Sequence, residues 1–173
     1  MPGLGDPPFC VTLKPRVTAA PLDPRVARGF LLWDHGAMLF TRLLVPIDFS
    51  EPSIEALRLA VSIAMRVGAR LSLLYVDADT LPGDGPEAVG ALHRLAAREV
   101  PSSVHVDMLT DEGRPAERIN HHAQDGEHDL VVMGTHGKTG LERVMLGSVA
   151  EVVVRTCPVP VLVTHDRSGP DTP

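Results

Sequence analysis

Two cysteines, one tryptophan, one tyrosine and four phenylalanines in 173 residues leave this chain short of the side chains that most often announce a chemistry. Cys10 and Cys157 are far apart and give neither metal-ligand spacing nor a disulfide framework, so a reducing compartment is expected. Cys157 reads as a small buried residue at a helix end. Aromatics make up only 3%, and after Phe49 the sole one is Tyr75, which leaves little from which to build base-stacking platforms for single strands. Positive charge is also scarce: Lys+Arg 16 against Asp+Glu 22 gives a net charge of −6 and argues against a general nucleic-acid binder. No apolar run approaches the ~20 residues needed to span a bilayer. The beginning of the chain lacks a basic segment followed by an apolar stretch, so the expectation is a cytoplasmic protein away from membranes.

What is present is a Val, Leu, Ile, Ala and Met core in a chain long enough for one ordinary domain. Residues 1–37 differ from the rest: six of the sixteen prolines fall by Pro24, and no apolar period lasts a full element. They predict a disordered or loosely docked arm, with Phe30-Leu31-Leu32-Trp33 as its one docking patch. Met38 stands directly before the first strong strand, which makes a natural start at Met38 a second reading. Residues 38–165 form the expected domain, and 166–173 a frayed polar tail.

Strand and helix patterns alternate from Arg42 onward. Leu43–Ile47 reads as a buried strand, closed by Asp48-Phe49-Ser50, where Ser50 caps a helix and Pro52 sits in its first turn. That helix carries Ile54, Leu57, Val61, Ala64 and Met65 on one face and stops at Gly68. Strands are predicted at Leu71–Val76, at Val104–Leu109 nearer an edge, at Asp129–Met133 and at Val159–Thr164. Helices fill Pro86–Arg98, Pro115–Gln124 and Ser148–Thr156. Alternating units of this length predict an α/β fold with one open parallel sheet and helices on both faces.

The most informative stretch follows the strand Asp129–Met133: Gly134, two residues, Gly137, nine residues, then Gly147-Ser148. Glycines there let backbone approach a ligand, and a helix opening at Ser148 offers free N–H groups to an anion. Asp48 ends the first strand, and ligands of open α/β sheets bind at that end. A carboxylate beside a phosphate cradle suits a nucleotide, by accepting ribose hydroxyls or holding a cation. Each residue also has a plainer explanation. Asp48 fits a helix-flanking turn, and Ser148-Val149-Ala150-Glu151 fits a capping box. Gly137-Lys138-Thr139 echoes a P-loop, but Val132 stands where its first glycine belongs and Gly140 follows at once. His121, His122, His128 and His136 lack ligand spacing and read as solvated surface residues. No nucleophile elbow or acid–base carboxylate pair is recognisable.

The runs Arg42–Ser50, Asp129–Gly137, Gly140–Ala150 and Cys157–Val163 together resemble the universal stress protein family over roughly Leu39 to Thr164. The resemblance implies a five-stranded sheet in the order 3-2-1-4-5, and the complete glycine and serine spacing implies the ATP-binding subgroup, with Mg2+ accompanying the nucleotide. On that likeness Pro46, Ile47 and Asp48 line the ribose and adenine side, Val76 meets adenine and Met133 packs nearby. Gly134, Gly137, Gly147, Ser148 and Val149 hold phosphates, within a segment that includes Thr135, His136 and the basic Lys138. The compact segment from Asp77 to Ser103 leaves the cover of the adenine side open. The resemblance further implies a homodimer through the last strand, Val159 to Val163, an apolar edge that is a liability unless covered. The functional expectation is a nucleotide-dependent stress-response regulator or interaction module. Its alternatives are an enzyme using adenine nucleotides, as a slow ATPase or a nucleotidyl transferase, and a nucleotide-free dimeric adaptor.

Overall fold

The sheet is organised around Leu43-Leu44-Val45, three consecutive residues with no exposed surface. A strand buried on both faces must be apolar throughout, which is why this segment shows no alternation. The computed structural model describes residues 9–12, 40–78, 85–135 and 146–164. Its strands are β1 (Phe9–Thr12), β2 (Arg42–Pro46), β3 (Arg70–Asp77), β4 (Val106–Glu112), β5 (Leu130–Gly134) and β6 (Val161–Thr164). The helices are α1 (Glu51–Val67), α2 (Gly85–Glu99), α3 (Pro115–Asp125) and α4 (Ser148–Thr156).

The strands lie in the order β1-β6-β5-β2-β3-β4. Numbered from Arg42, the five parallel strands follow the expected order 3-2-1-4-5, with β2 and β5 side by side at the centre. Side chains alternate between two cores. Leu43, Val45, Leu71, Leu73, Val132 and Leu162 face Leu57 of α1 and Leu92 of α2. Leu44, Leu74, Val131, Met133, Val161 and Val163 face Ile119 of α3 and Val153 of α4.

Local signals act as expected at α1. Ser50 accepts the Ser53 N–H, proline stands in the first turn, and Gly68 ends the helix at φ 74°, a conformation that suits glycine. Met65, expected on the buried face, is 59% exposed, because one residue past Ala64 the helix has turned about 100° off the stripe. At the sheet edge, β4 begins and ends later than its alternation suggests, since it pairs along β3 as far as Asp77 opposite Glu112.

Two expectations are corrected. Within the expected arm, Phe9–Thr12 forms a strand that pairs antiparallel with β6, so the last strand is not an edge. Three apolar residues and a threonine among prolines carry no period of their own; the partner strand makes them a strand. His128 is not a surface residue but is 7% exposed. Its Nδ1–H donates to the His122 carbonyl at 2.8 Å, which leaves Nε2 to accept the Ser72 hydroxyl at 2.9 Å. Phe30–Trp33 lies outside the described residues.

Candidate functional site

From β2 the chain passes to α1 on one face of the sheet, and from the neighbouring β5 it passes to α4 on the other. This divergence of adjacent connections opens a crevice at the carboxyl ends of the two strands. Asp48 stands at the β2 side of it. Its Oδ1 accepts both the N–H and the hydroxyl of Ser50, at 3.0 and 2.5 Å, which makes an Asx turn that leads into the α1 cap. Between them Phe49 is held at φ 62°, a left-handed conformation costly for a non-glycine residue, with its ring 5.5 Å from Tyr75. The turn reading of Asp48 is thus correct for one carboxylate oxygen. Oδ2 makes no hydrogen bond among the described residues and stays available.

On the β5 side, Gly134 owes its lack of a side chain to packing. A Cβ there would stand 2.7 Å from the backbone carbon and oxygen of Pro52, so the glycine admits the first turn of α1. Thr135, 2% exposed, follows it; its N–H donates to Thr164 O at 3.1 Å and its carbonyl accepts the Gly147 N–H at 2.7 Å. These bonds fix the start of α4 beside the end of β5. The cap of α4 is Gly147, with no side-chain hydrogen bond, and Ser148 is the first helical residue. The expected capping box is therefore absent, because Ser148 lies one position too far along to reach the N–H groups of its own first turn. Ser148 is exposed, and its hydroxyl bonds to none of the described residues.

The apolar wall comes from the same core face. Met133 is 5% exposed, within the cluster of Leu44 and Leu74, and Val76, Leu146 and Val149 pack against that cluster. Pro46, two residues from Leu44, shares its face by alternation, while Ile47 is buried on the opposite side among the α1 and α2 residues. Ile47 is therefore held away from Met133 and Val149; its N–H anchors the strand end to Leu74 O at 2.8 Å. His136, Gly137 and Lys138 lie outside the described residues.

Among the described residues no group of three His, Cys, Asp or Glu side chains is placed to hold a metal. His122 bonds to Asp111 at 2.8 Å and His121 to Asp125 at 3.1 Å. Burial alone would raise the Asp111 carboxyl, but Arg118, the Glu112 N–H and His122 outweigh it and hold the group below its ordinary value. The Cys157 thiol, half-buried at the end of α4, is pushed up by burial and is no ready nucleophile. No helix among the described residues is long and apolar enough to cross a membrane. Sequence reasoning missed Pro52 and the Thr135 carbonyl, because both act through backbone atoms; the Asp-Phe-Ser spacing was the one available signal for the oriented carboxylate.

With this geometry in hand, comparison with known proteins is direct. The model of the universal stress protein family matches residues 39–165. A universal stress protein of Methanocaldococcus jannaschii is 36% identical over 146 residues, covering 75% of this chain and 84% of that protein. UspA from Lactobacillus plantarum aligns with a TM-score of 0.61 at 32% identity, covering 73% of this chain and 98% of its own. A universal stress protein crystallised in complex with cAMP aligns at 0.58 and 25% identity, covering 73% and 98%. The chain belongs to the universal stress protein family.

Proposed function

We propose that this protein binds ATP, together with Mg2+, in the crevice between the ends of β2 and β5, and serves in the cytoplasm as a nucleotide-dependent stress-response regulator or interaction module. The observation that carries the reading is the open start of α4. The first-turn N–H groups of Ser148, Val149 and Ala150 have no carbonyl of their own helix to reach, and no side chain caps them. A phosphate there would take up those donors, the helix dipole and the Ser148 hydroxyl. The unengaged Oδ2 of Asp48 suits a ribose hydroxyl or a magnesium ion across the crevice. Pro46, Val76, Met133 and Val149 supply the apolar side that an adenine ring prefers. His136, Gly137 and Lys138 complete the phosphate side on the family likeness. The cAMP complex of a relative supports an adenine nucleotide as the ligand class.

The ligand is held in this reading, not consumed: Asp48 is tied into its turn through Oδ1, and at the start of α4 the phosphates meet helix N–H groups and the Ser148 hydroxyl. Calorimetric titration with ATP, AMP and cAMP, with and without Mg2+, tests the site. Ser148→Ala is expected to weaken ATP about tenfold or more, the worth of a hydrogen bond to a charged group, while the melting temperature stays unchanged because Ser148 caps nothing. Asp48→Asn, which keeps the turn acceptor, is expected to abolish the Mg2+ dependence. Native ATP affinity in both folded variants would overturn the assignment. Steady release of inorganic phosphate by the wild type, lost in the same variants, would favour the slow ATPase.

A further inference from the structure

Phe49 stands between the carboxylate of the site and the cap of α1, in a backbone conformation that its side chain resists. Among the described residues only Phe49, at φ 62°, and Glu127, at φ 53°, combine a side chain with a positive φ, and Glu127 lies at the other end of the sheet. Glycine, asparagine or aspartate takes this conformation at less cost, and an aromatic residue persists there only where its surroundings over-determine it. Here the surroundings include a second ring. Phe49 and Tyr75 of β3 stand 5.5 Å apart between centroids with their planes inclined at 36°, a tilted contact of the kind aromatic pairs favour, and both pack against the core beneath α1 and α2. Val76, the next residue of β3, packs on the opposite core, with Met133. The ring pair thus lies across the sheet from the apolar wall of the crevice and bears on the site through the backbone that Phe49 shares with Asp48.

We propose that the Phe49–Tyr75 pair positions the Asp48 carboxylate. Anchoring the ring keeps residue 49 left-handed, and that conformation brings the Ser50 N–H and hydroxyl onto Oδ1, at 3.0 and 2.5 Å, so that Oδ2 is left facing a fixed direction. Without the anchor, residue 49 relaxes to a commoner region, the peptide plane between residues 49 and 50 turns, and the carboxylate exchanges rotamers. The helix α1 does not depend on the ring, because the Ser50 hydroxyl still accepts the Ser53 N–H and the Ser50 carbonyl the Ile54 N–H. What Oδ2 meets, a magnesium ion or a ribose hydroxyl, rests on the nucleotide reading; its orientation is a property of the free protein. A group held in place before the ligand arrives loses less freedom on binding, which makes Phe49 and Tyr75 positioning residues for a contact that neither makes.

The free protein reports the orientation through the Ser50 amide. Measured by NMR solvent exchange on the full chain, the Ser50 N–H should exchange about tenfold or more faster in Phe49→Gly, which accepts a positive φ without strain but has no ring, and in Tyr75→Leu. The amides of Leu57 to Ala64 in α1 should keep wild-type protection. Tyr75→Phe keeps both rings and should match the wild type at Ser50. Wild-type exchange at Ser50 in Phe49→Gly, or acceleration spread through α1, would overturn the proposal. Calorimetry supplies a second readout. Mg2+–ATP should bind Phe49→Gly about fivefold or more weakly than wild type, and adding Phe49→Gly to Asp48→Asn should cost nothing further, because the ring acts through that carboxylate. Additive losses in the double variant would give Phe49 a separate, structural role and refute the positioning. Native affinity and Mg2+ dependence in Asp48→Asn would instead fail the nucleotide reading at this residue, and the Ser50 amide would still decide the orientation.

Discussion

Gly134 shows how a single residue can be chosen for two reasons at once. Its position in the glycine spacing suggests access for a ligand, yet the space its missing Cβ would occupy is filled by the Pro52 backbone. Gly134→Ala therefore acts first on the fold. The added methyl forces α1 outward from the sheet, and overpacking of this kind costs about 1–3 kcal/mol. Thermal denaturation should place its midpoint several degrees below wild type, whereas Ser148→Ala should melt with the wild type. Equal midpoints for the glycine variant and the wild type would show that α1 yields without cost. Gly126 has a related constraint at the opposite end of the sheet, where a Cβ would stand 2.4 Å from the His128 ring.

Among the elements, α3 is fastened to the sheet by that same histidine, which joins the His122 carbonyl to Ser72 of β3. Burial pushes the His128 pKa below its ordinary 6.5, so the fold holds the neutral ring and the unfolded chain takes the proton first. Stability is therefore full above about pH 6.5 and is lost as pH falls from there through the folded value. Denaturant titrations at several pH values should show this slope in wild type and not in His128→Gln. The loss linked to Asp111 falls lower, below its ordinary 3.8, and separates from it. The order of elements was legible in the sequence because Ser50, Pro52 and Gly68 carry local signals and because β2 and β5 are continuous apolar runs. Position along the chain was less legible where tertiary contacts decide it. Ser148 has the composition of a cap, but the Thr135–Gly147 hydrogen bond shifts the cap one residue upstream. β1 has no pattern of its own, and only β6 defines it. The phosphate side was read from spacing and family likeness; Ile47, named with Pro46 on the same likeness, packs among the α1 and α2 residues, which no pattern in so short a run discloses.

For the whole molecule, binding should appear as stability. A ligand that engages only the folded chain adds about 2.7 kcal/mol at a concentration of 100 dissociation constants, so ATP should raise the melting temperature in proportion to the logarithm of its concentration. Amide hydrogen exchange should locate the gain at Gly147 to Ala150 and leave Val161 to Thr164 unchanged, because β6 lies outside the proposed contacts. Protection gained at β6 instead would tie nucleotide to the sheet edge. The Thr135–Gly147 hydrogen bond, finally, separates the architecture of the domain from the identity of the residues it joins. Thr135 and Gly147 are held at one point through backbone atoms alone, which fixes the start of α4 against the end of β5. Because that bond needs no side chain, substitutions at either residue that keep the backbone course leave the open helix start in its place, and the position of the crevice is set by main chain rather than by residue identity.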